Sequence, residues 1–183
     1  MKITPLAISE ILLIQPDVYI DERGFFMETY KVSDFQKNFS KKRFVQQNHS
    51  GSHSEVLRGL HYQIKFPQEK LIQVITGEIY EVAVDIRANS ATFGNWVGMN
   101  VSAKEHKLLW VPNGFAHGFY TLSKWAEIIY YVNNPYSPKW ERTLLWNDDD
   151  LGITWPLASG RMPLLSKKDS CGKRFLEAEV YKK

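Results

Sequence analysis

From residue 71 to residue 132 the chain reverses direction at intervals of about 8–12 residues, and that rhythm restricts the fold more than any other feature. Short apolar runs stand between the turns, at residues 71–75, 79–86, 95–101, 108–111, 115–122 and 127–132. Thr76-Gly77-Glu78 reads as a hairpin turn and Arg87-Ala88-Asn89-Ser90 as a loop. No run in this region carries a 3.6-residue period, which argues against a parallel sheet with crossover helices. The expectation is an all-β protein, a sandwich or an antiparallel barrel.

The flanking segments add less regular elements. Residues 8–14 are apolar and lead into the turn Gln15-Pro16-Asp17; Val18-Tyr19-Ile20 reads as a strand. A turn at Asp21-Glu22-Arg23-Gly24 precedes an expected strand over residues 25–30, with Phe26, Glu28 and Tyr30 on one face. Residues 32–41 read as a short helix with Ser33 as N-cap and Phe35 above Phe39. A strand is expected over 44–49 and a loop over 50–54. Near the C-terminus, Ser166 and Asp169 have the spacing of a capping box, so a short helix is expected to begin there. No linker or low-complexity tract interrupts the chain, so residues 1–183 are expected to form one domain with short peripheral helices.

Composition narrows the function classes. A net charge of +3 is too small to point to nucleic acid. No run approaches the length of a membrane span, and the N-terminus lacks the pattern of a signal peptide. The single cysteine, Cys171, permits no intrachain disulfide and fits a reducing, cytoplasmic setting. Six Trp, nine Tyr and ten Phe suit sheet packing, and their rings can also line a sugar or base pocket.

The chemistry gathers in Val56-Leu57-Arg58-Gly59-Leu60-His61-Tyr62-Gln63. On a regular strand Arg58 and His61 would face opposite ways, unless Gly59 marks a bulge. With a bulge, an anion-binding guanidinium and a proton-accepting imidazole would enter one cavity. His61 as a base needs a carboxylate to hold its other ring nitrogen, and Asp169 and Asp85 are both candidates. Tyr130 and Tyr131 must face opposite sides of their strand, so one can turn its hydroxyl inward.

Pro112-Asn113-Gly114-Phe115-Ala116-His117 resembles the second short signature of the cupin superfamily of jelly-roll barrels. Metal-binding cupins carry His-x-His and a Glu in the first signature; here the chain reads His61-Tyr62-Gln63, and the next useful charge is Lys70. His61, Gln63 and His117 are candidate ligands, but a cation in place of the carboxylate disfavours a divalent metal. No metal is therefore expected.

Beyond that signature the chain resembles the dTDP-4-dehydrorhamnose 3,5-epimerase family over residues 16–169. The ordered blocks include Asp21-Glu22-Arg23-Gly24-Phe25-Phe26, Val56 to Gln63, Val82-Ala83-Val84-Asp85-Ile86-Arg87, Thr92-Phe93-Gly94, Pro112 to Phe119 and Gly152-Ile153-Thr154-Trp155-Pro156. The resemblance implies a cupin barrel, a dTDP-linked 4-keto-6-deoxy sugar as substrate, inversion at C3 and C5, no cofactor, and a homodimer built by N-terminal strand exchange. It implies His61 as general base, Asp169 as its partner, Tyr130 as the acid on the other face, and Lys70 and His117 beside the sugar. Arg23, Phe26, Glu28, Gln46, Gln47, Asn48, Arg58, Tyr136, Glu141 and Lys168 would hold the nucleotide and its sugar. Glu81 stands where the family commonly has Asp, Gln73 where Arg is frequent, and Pro135 precedes Tyr136 where many members have a Tyr pair. An epimerase acting at one centre or on another nucleotide-linked 4-keto sugar, a metal-dependent cupin oxygenase and a non-catalytic sugar-binding jelly roll are the alternatives.

Overall fold

The computed structural model describes residues 1–158 and 161–182. Among these residues the strands are β1 (Lys2–Pro5), β2 (Leu12–Gln15), β3 (Val18–Asp21), β4 (Gly24–Met27), β5 (Gln46–His53), β6 (Leu57–Gln63) and β7 (Lys70–Thr76), followed by β8 (Glu78–Asp85), β9 (Trp96–Ser102), β10 (Leu108–Val111), β11 (Phe115–Thr121), β12 (Trp125–Val132) and β13 (Glu141–Thr143). Helix α1 covers Val32–Asn38 and α2 Lys167–Ser170. A six-stranded sheet in the order β1-β2-β10-β7-β12-β5 faces a five-stranded sheet in the order β13-β6-β11-β8-β9, and β3 and β4 form a separate hairpin. All the strand pairs are antiparallel. The expected all-β jelly roll is therefore present.

Side-chain alternation divides the apolar residues into three layers. Ile72, Val74, Ile79, Ala83, Leu109, Phe119 and Ile128 point between the sheets and fill the barrel. Their neighbours Leu71, Leu108 and Trp110 point outward and are covered by Phe35 of α1. On the far side Val82, Val84, Leu60 and Tyr62 pack under Trp146, Trp155 and Phe175 of the C-terminal segment. Each fully buried side chain of this kind contributes about 1.5–3 kcal/mol. The space between the sheets is thus apolar, except at one end of the barrel.

Several local expectations need correction. The strand from residue 24 stops at Met27, so Glu28 and Tyr30 lie beyond it. Helix α1 ends at Asn38, and its N-cap position is Lys31 with no side-chain cap; Ser33 lies within the helix. Aromatic packing of Phe35 on Trp110, with centroids 4.9 Å apart, holds it instead. Residues 50–53 continue β5 and are not loop, because eight register pairs with β12 satisfy the backbone of this polar stretch. The short helix does begin at Ser166, whose Oγ caps it by accepting from the Asp169 amide at 3.1 Å; the reciprocal half of a capping box is replaced by the Ser166 hydroxyl donating to Asp169 Oδ2 at 2.8 Å.

Candidate active site

The open end of the barrel is a cavity of about 330 Å³ between the two sheets. Its geometry begins at Gly59. On β11, His117 pairs with His61 and Phe119 with Arg58, so two steps on one strand oppose three on the other. That is a bulge, and it turns both Arg58 and His61 into the cavity while Leu60 and Tyr62 stay in the outer core. Gly59 has φ +133°, and a Cβ there would sit 2.5 Å from Gly118 Cα. Only glycine fits this crossing.

His61 sits on the wall formed by the five-stranded sheet, its side chain 26% exposed. Its Nε2 lies 2.5 Å from Oδ1 of Asp169, a carboxylate only 3% exposed. Burial alone would raise the Asp169 carboxyl, but the His61 hydrogen bond and charge, the Ser166 hydroxyl and Lys168 outweigh it and hold the group below its usual range. Of the two carboxylates that local patterning left open, Asp169, the one the family resemblance implies, stands beside His61. Asp85 is held elsewhere, by Arg87, Ser90 and Thr92.

Lys70 begins β7 on the opposite sheet and its ammonium lies on the cavity floor. It donates to the His61 carbonyl at 3.4 Å and approaches His117 Nδ1 at 3.5 Å. Burial brings its pKa down to about 8, against the pull of Glu81 and Glu141. Nε2 of His117 is hydrogen-bonded to Glu81, and burial lowers the pKa of this imidazole despite the carboxylate's charge. The sequence reading marked Glu81 only as a departure from the family. A carboxylate at an inward position of β8, flanked on that face by Ile79 and Ala83, was the signal for it.

Tyr130 enters from β12, on the sheet facing His61, and Tyr131 turns outward onto Tyr30 and Phe44. Burial raises the Tyr130 hydroxyl's pKa, so it stays protonated and can donate. Gln46, Asn48, Arg58, His117, Tyr136, Glu141 and Lys168 line the same cavity. Arg58 is braced by Ser52 Oγ at 3.0 Å and the Gly51 carbonyl at 3.1 Å. Glu141 accepts from Lys168 Nζ and from the Tyr136 hydroxyl, both at 2.8 Å. Gln63, once a candidate metal ligand, does not line the cavity. Among the described residues no three His, Cys, Asp or Glu side chains gather where they could hold a metal ion.

Four sequence candidates lie outside the cavity of their own chain. Gln47 faces the other way, because it alternates with Gln46 and Asn48 along β5. Arg23 and Phe26 belong to the β3–β4 hairpin, which projects from the barrel with Arg23 85% exposed and bonded to Asp21. Glu28 lies beside α1.

A sequence model of the dTDP-4-dehydrorhamnose 3,5-epimerase family matches residues 5–177. The dTDP-4-dehydrorhamnose 3,5-epimerase of Shigella flexneri is 47% identical over 183 residues, covering 99% of each chain. That of Neisseria gonorrhoeae is 48% identical over 98% of this chain, which spans only 54% of that protein's length. The crystal structure of dTDP-6-deoxy-D-glucose-3,5-epimerase from Legionella pneumophila, in complex with dTDP-4-keto-L-rhamnose, superposes with a TM-score of 0.95 at 40% identity, covering 100% of this chain and 98% of the other.

Proposed function

This chain belongs to the dTDP-4-dehydrorhamnose 3,5-epimerase family, and on that footing we propose that it inverts C3 and C5 of dTDP-4-dehydro-6-deoxy-D-glucose to give dTDP-4-dehydro-L-rhamnose. The observation that carries the reading is the placement of the His61–Asp169 pair on one wall of the cavity and the Tyr130 phenol on the other.

The chemistry follows from the substrate's ketone. A carbonyl at C4 acidifies the C–H bonds at C3 and C5, so the substrate itself is the electron sink. Asp169 accepts the Nε2 hydrogen of His61, leaving the lone pair on the other ring nitrogen as the base. As a C–H bond breaks, its proton goes to His61 and its electron pair becomes the enolate, with charge on the C4 oxygen. Lys70 supplies positive charge to that oxygen, worth about 3–4 kcal/mol in a site shielded from water. Tyr130 then donates its proton to the opposite face of the same carbon. The imidazolium and phenolate return to their starting states through water, so solvent hydrogen enters the sugar. His117 and Glu81 brace Lys70 from behind.

Arg58 and Lys168 are the cations on the cavity wall suited to the diphosphate. Arg23 and Phe26 can reach a substrate if a second copy of the chain presents its hairpin, with Glu28 just beyond the hairpin's end. Tyr19, Ile20, Phe25 and Phe26 on that hairpin are exposed apolar side chains, which supports a homodimer. The reading locates the enzyme in the cytoplasm, which fits the free thiol of Cys171.

Incubation of the purified protein with dTDP-4-keto-6-deoxyglucose in heavy water, followed by NMR, tests the proposal. Deuterium should enter at both C3 and C5. Exchange at one position alone would make it a single-centre epimerase, and no exchange would remove the reading.

A further inference from the structure

Gln63 is 2% exposed, and its side-chain amide is fully engaged. Nε2 donates to the Phe66 carbonyl at 2.8 Å and to the Pro135 carbonyl at 3.3 Å. Oε1 accepts from the Ser137 amide at 2.6 Å. Pro135 and Ser137 are the two neighbours of Tyr136, the half-exposed tyrosine at the cavity's edge. The amide of Tyr136 itself donates to Gln46 Oε1 at 2.9 Å. Three backbone groups in succession are therefore held by two glutamine side chains, one from each sheet of the barrel.

Only a primary amide meets the demand at Gln63, where two carbonyls need donors and one N–H needs an acceptor. A carboxylate would set oxygen against oxygen at Phe66 and Pro135. A hydrocarbon would leave three polar groups short of partners. Pro135 adds to the constraint by fixing its own φ. The far end of Tyr136 is anchored on Glu141, so the ring is defined at both ends.

We propose that Gln63 is a positioning residue that fixes Tyr136 over the mouth of the cavity and thereby sets how tightly the substrate's sugar is held. This rests on the epimerase reading, in which Tyr136 touches the substrate and Gln63 does not.

Gln63→Glu, which preserves size and removes the two donors, is the test. KM for dTDP-4-keto-6-deoxyglucose should rise about tenfold while kcat stays within about threefold, since binding geometry and not the proton-transfer groups is disturbed. In a Tyr136→Ala background the same change should leave KM within about twofold. Amide hydrogen exchange of the segment spanning 135–137 should accelerate in Gln63→Glu. An unchanged KM, or a KM rise that persists in full without Tyr136, overturns the proposal. If the wild-type protein exchanges no substrate hydrogen, the epimerase reading falls, and amide exchange alone decides the positioning claim: faster exchange supports it and unchanged exchange overturns it. Should Gln63→Glu fail to fold, Gln63→Asn, which retracts the amide by one methylene, is read by the same criteria.

Discussion

Arg58 and His61 stand three residues apart on one strand and face the same cavity, because a bulge at Gly59 adds one residue to β6 opposite β11. Strict alternation would send one of them into the outer core beside Leu60. The anion-binding and proton-accepting groups share a site only because glycine tolerates φ +133° with Gly118 against it.

Gly59→Ala should therefore damage both stability and activity. The added methyl meets backbone 2.5 Å away, at a φ that costs a non-glycine residue about 1–3 kcal/mol before any clash. Thermal unfolding should show a midpoint several degrees lower, and epimerisation should fall with it. A variant with native stability and rate would show that the bulge is dispensable.

Removing the base or the acid should separate catalysis from binding. His61→Ala and Tyr130→Phe should each lower kcat by about 10²–10⁴-fold while calorimetry still detects dTDP. Asp169→Asn should lower kcat too, because the imidazole loses the carboxylate charge that orients it and stabilises its protonated form. Full activity in His61→Ala and Tyr130→Phe would rule out the assigned roles.

Lys70 sets an alkaline limit. Burial brings its ammonium down to about 8, so the charge that supports the enolate is present at neutral pH and lost as pH rises through that value. The kcat profile should fall on its basic side near pH 8. Lys70→Met should lower kcat by about 10²–10³-fold and remove that limb. A basic limb unchanged in Lys70→Met would assign it to another group.

Asp85 contributes stability with the opposite sign. Its burial would raise the carboxyl, but hydrogen bonds from Arg87, Ser90 and Thr92 bring it down to about 2. A depressed carboxyl stabilises the fold above its unfolded pKa and ceases to do so as pH falls from about 4 towards 2. Urea unfolding across that range should show the loss in the wild type. Asp85→Asn should be less stable at pH 7 and flatter between pH 4 and 2.

The hairpin makes a prediction about subunits. If Arg23 acts in the partner's cavity, mixing Arg23→Ala with His61→Ala chains creates hybrids with one intact site. Coexpression should then restore a kcat/KM that neither variant shows alone, since one loses turnover and the other loses binding. No recovery in isolated hybrids would mean that Arg23 does not act across the dimer.

The architecture was legible in the sequence because the signal for a strand is local. Turn residues such as Gly77 and 87–90, and the short apolar runs between turns, located β7 to β12 to within a residue or two. The N-cap at Ser166 was legible for the same reason. Residues 50–53 were not, because a polar strand lacks hydrophobic contrast and is held by register pairing to β12. Which of Asp85 and Asp169 approaches His61 depends on a contact across 108 residues, and no local pattern records that distance in sequence. Likewise, Tyr130 and Tyr131 are interchangeable as letters until β12 pairs with β5 and β7 and sets which of the two looks inward. The sequence by itself determined the residue types, the strand rhythm and a glycine at position 59 that permits a bulge. Tertiary structure decided the partners, because packing two sheets face to face brings together side chains whose spacing along the chain carries no trace of the contact.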